Sequence, residues 1–436
     1  MPQSVCSGYA WQAVVSITAA SGVMSLTPLN ELTSGLKRNG LVRFFEHYEK
    51  LHPDTHFKDL TVQAMDDDRG MWIGGKRLVN FGSDSFLGLD RHSRVLAALK
   101  RGVDAWGAHN GTSRAFSSVE ANVVAEAKLA QWLRVEDTLI YPSVTLTNLG
   151  AIPALVGRQD IVLCDQLGHQ SLQEGMRLAQ AAGVRTGLFP HADPDRLREA
   201  LDDAGEYRQA LVCVDGIYSM SGTVPPLAEL DKICRERRAV LYVDDAHAMG
   251  VHGEGGRGTA LEHLADLSNC LVVGSLSKAF SCFGGFITCS SALKKYLKMR
   301  STSFVFGGPV PPPYLEAVCE VCDILMSPEY ATLAENLHAN IARLVRGLAG
   351  SGISCLGGKT PIVTMVIGDE EDALRAGKDL YDLGYYVQSV TFPAVEYHKA
   401  VLRIQVNSNH RMQDIDGLVR AVAEVVGKSQ QKRRAA

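Results

Sequence analysis

The sequence predicts an α/β chain: a large domain on a mostly parallel sheet, then a smaller α+β domain. Two patterns carry that expectation. From about Met71 to the proline cluster at 309–313, short apolar runs alternate with longer amphipathic stretches. That order is expected when buried parallel strands are joined by crossover helices. Beyond the prolines the composition changes, and two long helical stretches lead into a mixed region. The boundaries read as an N-terminal extension and arm (1–75), a large α/β domain (76–313) and a C-terminal α+β domain (314–436).

Taken in order, residues 29–52 read as one helix, with leucines and aromatics at mixed spacings of 3 and 4, forming an N-terminal arm. Strand candidates in the large domain are 139–141, 161–164, 186–189, 210–214, 240–243, 270–273 and 285–288. Between most of them lie helical stretches at 123–132, 172–182, 194–203 and 227–237. Asp193-Pro194 marks one start: an acid to accept a free backbone N–H, then a proline at the position whose N–H has no partner anyway. In the C-terminal domain 314–326 and 333–349 read as helices, 362–367, 386–390 and 401–406 as strands, and 414–426 as the closing helix. No internal repeat or low-complexity segment is visible.

At 436 residues the chain has room for two domains and an ample core. Its 46% hydrophobic and 21% charged content is that of an ordinary soluble globular protein. A net charge of -4 argues against a nucleic-acid partner, which calls for a cationic excess. The only charge run, 428–434, reads as a solvated, frayed terminus. Ten cysteines are scattered from Cys6 to Cys355, several inside apolar runs, which fits reduced thiols in a cytoplasmic enzyme better than a disulfide framework. Cys319 and Cys322 form a lone C-x-x-C in a helical stretch, weak grounds for a metal site, and no metal is expected. No apolar run is long enough to span a membrane. The first 25 residues are mildly apolar but carry no Lys or Arg, so they read as a loose extension rather than a secretory signal, with Met24 a candidate start.

Two segments carry the chemistry. Val243-Asp244-Asp245-Ala246-His247 ends an apolar run in acids and a histidine, and 31 residues after His247 a second run leads through Ser275-Leu276-Ser277 into Lys278. Ligands in open α/β sheets sit at the carboxyl ends of strands, where both segments fall. A lysine that can form an imine and a carboxylate that can hold a pyridinium are the protein contacts of pyridoxal phosphate (PLP), the cofactor implied. Asp244 would keep the ring nitrogen protonated; the plain alternative is that Asp244-Asp245 only caps a helix. His247, three residues on, could reach the phenolate oxygen or a substrate.

Beyond these segments the chain resembles the α-oxoamine synthase family of PLP enzymes, a class that includes serine palmitoyltransferase, 8-amino-7-oxononanoate synthase, 5-aminolevulinate synthase and 2-amino-3-ketobutyrate ligase. The resemblance runs from about Leu78 to Val426. It rests on Asn80-Phe81-Gly82-Ser83-Asp84-Ser85-Phe86-Leu87-Gly88-Leu89, on Gly216-Ile217-Tyr218-Ser219-Met220-Ser221-Gly222 with Pro226-Leu227, and on the glycines from Gly250 to Gly258. Lys278 with Gly284-Gly285, and Val401-Leu402-Arg403-Ile404 with His410 and Asp414-Ile415-Asp416, complete it. In this order and spacing the motifs are specific.

The resemblance implies a fold type I PLP-dependent transferase and assigns roles. Lys278 is the expected Schiff-base lysine and acid/base, Asp244 the pyridinium partner, and His169 the residue stacked on the ring. Ser219 and His247 would bond the phenolate oxygen. Ser275 takes the place of a phosphate-binding threonine. Val144 and Thr145 stand where the family has Gly and an aromatic, so their backbone N–H groups would cradle the phosphate at a helix start. Arg403 would grip the amino-acid carboxylate. The chain also departs from the family. Asp84 replaces an asparagine beside the amino-acid substrate, Gly168 an asparagine before the stacking histidine, and Ser118 and Val123 a glycine and a histidine. Gly307-Gly308 sits where hydroxyls often reach the neighbouring subunit.

The implied reaction is a decarboxylative condensation of an α-amino acid with an acyl thioester, on coenzyme A or an acyl carrier protein, by a cytoplasmic homodimer. The departures incline the reading toward a specialised-metabolism or serine palmitoyltransferase-like enzyme. An aminotransferase, racemase or lyase of the same fold is the alternative. A non-catalytic partner subunit is a third reading, and the presence of Lys278 with Asp244 speaks against it.

Overall fold

The computed structural model describes residues 27–51 and 60–435, with side chains to Val426. Cys6, the apolar extension and Met24 lie outside the described residues. The chain divides into two units at residues 53 and 54.

The first unit carries α1 (Pro28–Leu36) and α2 (Gly40–Leu51). The expected single helix is therefore two. Thr27 caps α1, its hydroxyl accepting from Asn30 N at 3.3 Å, and Asn39 starts α2 afresh by accepting from Leu41 N at 2.9 Å. An asparagine side chain that bonds the backbone two residues on competes with a continuous helix.

The second unit opens on the strands β1 (Val62–Met65), β2 (Gly70–Ile73) and β3 (Lys76–Asn80). Helices α3 (Ser93–Trp106) and α4 (Glu120–Leu133) follow. The central sheet then forms from β4 (Asp137–Tyr141), β5 (Ile161–Asp165), β6 (Arg185–Phe189), β7 (Ala210–Asp215), β8 (Ala239–Asp244), β9 (Cys270–Ser275) and β10 (Gly285–Cys289). The helices α5 (Val144–Leu155), α6 (Gln170–Ala181), α7 (Pro194–Asp203), α8 (Leu227–Glu236) and the short α9 (Thr259–His263) connect them. The sheet order is β4-β10-β9-β8-β7-β5-β6. Only β10 runs against its neighbours. Strands β5 and β7 are buried along their whole length. Covered by helices on both faces, such strands need apolar side chains at nearly every position, which is why the sequence shows runs rather than alternation. At α7 the Asp193 carboxylate accepts from Arg196 N at 3.0 Å, with Pro194 behind it, as its sequence predicts.

After α10 (Ser291–Arg300), α11 (Thr302–Phe306), α12 (Pro312–Leu325) and α13 (Glu329–Gly350) comes the smaller mixed region. It holds β11 (Ile362–Gly368), α14 (Glu370–Asp382), β12 (Tyr385–Tyr386), β13 (Gln388–Val390), β14 (Ala400–Gln405) and α15 (Met412–Ala435). The strand expected over 386–390 is split. Tyr385 and Tyr386 pair in parallel with β3, whereas β13 joins β11 and β14 in a second sheet, order β11-β14-β13. Val387 between them is buried, so the chain changes sheets without exposing its apolar side. Helix α15 continues through the basic run to Ala435, where a frayed end was expected.

The segment after β3 is bonded into the region after β14. Gln405 N donates to Phe81 O at 2.8 Å, Ser408 Oγ to Leu87 O at 2.7 Å, and His410 Nε2 to Asn80 O at 2.9 Å. His410 also stacks on Phe81 with ring centroids 4.0 Å apart. These bonds fix residues 80–88 against the carboxyl end of β14. The nine described cysteines are free; Cys319 and Cys322 are buried on α12, and burial pushes the Cys319 thiol up to about 12. Among the described residues no helix is long and apolar enough to cross a membrane.

Candidate active site

Three neighbouring parallel strands end in aspartates: Asp165 on β5, Asp215 on β7 and Asp244 on β8. All three are buried. Such a row is costly unless each carboxylate is paired or protonated. Asp165 is paired: it accepts from Tyr218 Oη at 2.7 Å, Ala192 N at 2.7 Å and Leu167 N at 2.8 Å. Burial alone would raise its pKa, but these bonds and His191 outweigh it and hold the carboxyl below its usual range. Asp215 meets Asp244 in register across the sheet. Burial, then the charge of Asp244, pushes its pKa up. One oxygen accepts from His169 N at 3.2 Å and the other has no hydrogen-bond partner among the described residues.

Asp244 is held from behind. Asn148 Nδ2 donates to Oδ2 at 2.7 Å and Ala246 N donates to Oδ1 at 3.1 Å. Tyr242 Oη fixes the asparagine by donating to its Oδ1 at 2.9 Å. Successive strand residues point to opposite faces, and the next acid, Asp245, bonds Thr259 and Ala260 at the start of α9. Burial raises Asp245 to about 7. No helix starts near Ala246, where a capping role was considered for both acids; the chain turns there, and Asp245 instead braces the start of α9.

His169 caps α6, its Nδ1 accepting from Ser171 N at 3.2 Å, and its ring is exposed. A side chain on the preceding Gly168 would put its Cβ 3.0 Å from Asp165 O and 3.1 Å from Cys164 Sγ, so glycine suits this tight turn. His247 is nearly fully buried. Burial first, then the charges of Lys278, Arg403 and His169, pulls its pKa well below the usual histidine value, so the imidazole is neutral at neutral pH. Lys278 follows β9 in a turn closed by Ser281 N donating to Lys278 O at 2.8 Å. Its Nζ lies 3.5 Å from Asp84 Oδ2.

Arg403, on the central strand of the second sheet, is buried and triply held. Nε donates to Ser219 O at 2.6 Å, Nη1 to Gln388 Oε1 at 2.9 Å and Nη2 to Asp84 Oδ1 at 3.2 Å. Burial lowers its pKa, against the pull of Asp84. Gln405 Nε2 bonds the same Asp84 oxygen.

Val144 and Thr145 open α5, capped by Ser143, whose Oγ accepts from Leu146 N at 3.1 Å. Among the described residues their N–H groups have no backbone partner. Gly285 lies so close that an added Cβ would be 2.5 Å from Val144 N. Ser275 is buried at the end of β9, within 3.0 Å of Ser277 Oγ.

These residues fit PLP. The start of α5 offers free N–H groups and the positive end of a helix dipole to a phosphate. A buried carboxylate braced by an amide suits a pyridinium, and the exposed His169 ring can cover an aromatic face. Ser118 bonds Arg114, which forms a buried ion pair with Glu126 at 2.6 Å, and Val123 is exposed on α4, so neither joins the cluster. A groove of about 800 Å³ at the opposite, amino end of the strands, lined by Gln209, Val240 and Leu271, contains none of the expected site residues. Sequence reasoning missed Asn148, Asp215, Gln388 and Gln405. For Asn148 a signal exists: an asparagine inside an otherwise apolar helix needs a buried partner.

The fold and this cofactor site together define a fold type I PLP-dependent transferase. The family model for aminotransferases of class I and II matches residues 76–422. Among curated proteins, 8-amino-7-oxononanoate synthase of Methylococcus capsulatus is 37% identical over 370 residues, covering 84% of this chain and 93% of that protein. The enzyme of the same name from Thermoanaerobacter pseudethanolicus is 32% identical over 385 residues, 88% and 96% of the two chains. Among solved structures, serine palmitoyltransferase of Sphingomonas wittichii superposes with a TM-score of 0.81 at 24% identity, over 89% of this chain and 98% of that one. The 8-amino-7-oxononanoate synthase of Francisella tularensis gives 0.69 at 21%, over 81% and 99%. The structural likenesses carry the fold, and the curated relatives carry the family. The chain belongs to the α-oxoamine synthases, PLP-dependent acyltransferases.

Proposed function

We propose that the protein joins an α-amino acid to an acyl thioester, carried on coenzyme A or an acyl carrier protein, with loss of CO2 and release of the thiol to give an α-amino ketone. One observation carries the reading. The two oxygens of Asp84 touch both Lys278 Nζ and Arg403 Nη2. The lysine nitrogen and the guanidinium are therefore no further apart than one carboxylate can bridge, a span matched to the amine and carboxylate of an α-amino acid.

PLP supplies an electron sink for negative charge at the carbon beside the amino nitrogen. The chain's own groups do the rest. Asp244 would hold a proton on the ring nitrogen. Ser219 and the neutral His247 would donate to the phenolate oxygen, His169 would cover the ring, and Ser275 with the N–H groups of Val144 and Thr145 would anchor the phosphate. Arg403 orients the amino-acid carboxylate, and Lys278 Nζ takes the α-proton and returns a proton after CO2 leaves. The free, buried thiols favour a cytoplasmic enzyme.

We read the working form as a homodimer. Phe116, in the turn between α3 and α4, is 89% exposed and Phe306, the last residue of α11, is 82% exposed; the two segments are joined by Ser113 Oγ donating to Val305 O at 2.7 Å. Large exposed aromatics in one place mark a surface that a partner covers.

The test is mass spectrometry of the purified PLP-loaded protein incubated with pooled amino acids and acyl thioesters of graded length, on coenzyme A and on a carrier protein. The expected product has the mass of amino acid plus acyl thioester less CO2 and the free thiol, which is released with it. An amino acid converted to its keto acid with no thiol released would replace the condensation by transamination.

A further inference from the structure

The carboxylate of Asp84 lies where the proposed function needs an empty seat. Oδ1 accepts from Arg403 Nη2 at 3.2 Å and from Gln405 Nε2, while Oδ2 lies 3.5 Å from Lys278 Nζ. The position of the segment is set, because the flanking residues 81 and 85–87 are bonded to 405–408. Arg403 has little freedom either. It is 5% exposed, and its Nε and Nη1 are tied to Ser219 O and Gln388 Oε1. Asp84 is the looser partner, with 31% of its side chain exposed.

A buried guanidinium is stable only while an anion or several acceptors face it. In the free protein Asp84 supplies that anion. An amino-acid carboxylate approaching Arg403 meets a guanidinium already neutralised, with a like charge beside it.

Resting on the reading of Arg403 as the carboxylate site, we propose that Asp84 is a resident carboxylate that occupies this site in the free enzyme and yields it to the substrate. It is then the residue that sets how tightly, and which, amino acids bind. Two consequences follow. Removing the resident charge exposes a buried cation, so the free protein loses stability that any small carboxylate can restore. Removing it also relieves the competition, so amino acids bind more tightly.

The experiment uses the PLP-loaded full chain as wild type, Asp84→Ala, Asp84→Asn and Asp84→Ala with Arg403→Gln. Thermal unfolding is followed with and without acetate at constant ionic strength, and amino-acid binding by calorimetry. The expected result is an Asp84→Ala protein that melts below wild type and is raised by acetate, with little response in wild type or the double variant. Its amino-acid Kd falls by about ten- to a hundredfold, the range of one charge-assisted bond. Asp84→Asn keeps the shape of the side chain and serves if the alanine variant does not fold. Equal effects of acetate on wild type and on the Asp84 variants would overturn the proposal, as would amino-acid binding weakened by Asp84→Asn. If acetate rescues but no amino acid binds any variant, the resident carboxylate stands and the amino-acid reading of the site fails.

Discussion

Gly285→Ala should damage the phosphate seat without touching a charged group. Gly285 begins β10, paired with Tyr141 on one side and Ser275 on the other. An ideal Cβ there would lie 2.5 Å from Val144 N, 2.7 Å from Ser143 C and 2.8 Å from Val144 Cα. Ordinary contact begins near 3.4 Å, so the first turn of α5 or the strand must retreat by close to 1 Å. All three neighbours are backbone and no rotamer change relieves them. Overpacking of this kind costs about 1–3 kcal/mol, partly offset by the ~0.4–1 kcal/mol that alanine gains by restricting the unfolded chain. The displaced N–H groups of Val144 and Thr145 are those read as donors to the phosphate. A charge-assisted bond contributes about 1.5–3 kcal/mol, so losing one weakens cofactor binding by roughly tenfold or more. The assay is equilibrium titration of the apoprotein with PLP, followed by the cofactor's visible absorbance, and in parallel with pyridoxal, which lacks the phosphate. The expected loss is confined to PLP. Gly350→Ala, at the end of α13 with nothing within 4 Å of the added methyl, is the silent control. Equal loss for both ligands, or PLP binding within about twofold of wild type, would show that the start of α5 is not the phosphate seat.

Three further outcomes are expected. Tyr242→Phe removes the donor to Asn148 Oδ1 inside a fully buried chain that ends at Asp244; about 1–3 kcal/mol of stability and some cofactor affinity should go with it, read by unfolding of the apoprotein and by PLP titration. Lys278→Ala should still bind PLP yet gain no covalent cofactor mass after borohydride reduction, whereas wild type gains one. His410 should make stability depend on pH. Burial lowers its pKa to about 4, and the unfolded value is about 6.5, so the unfolded chain binds the extra proton between those values. The contribution is complete above about pH 6.5 and falls by roughly 3 kcal/mol as pH drops toward 4. Urea midpoints between pH 5 and 7 should slope less in His410→Asn than in wild type, and parallel slopes would remove His410 as the source.

Where the sequence could be read and where it could not follows from the range of the interactions. Strands β5, β7, β8 and β9 announced themselves because a strand covered on both faces is a continuous apolar run, and the acids ending them stand out against it. Helix α7 was legible to the residue because its start is decided locally, by Asp193 and Pro194 alone. The helix expected over 29–52 failed on a local cue that periodicity ignores, the capping bond of Asn39. The split at Val387 failed for the opposite reason: which sheet Tyr386 joins depends on β3, about three hundred residues away. The site divides in the same way. Lys278, Asp244 and His247 carry their chemistry in short motifs. Asn148 and Gln405 look ordinary in sequence and matter only because folding brings them to Asp244 and Asp84. Asp84 shows the difference most sharply. As one letter of a motif it was an acid where an amide was expected, a negative charge beside the amino-acid substrate. The distances to Arg403 and Lys278 decide which question to ask, because a carboxylate bonded to the guanidinium is first a competitor of any other carboxylate that needs it. The substitution that sets this chain apart from the family pattern and the contact that would govern its substrate are then one feature.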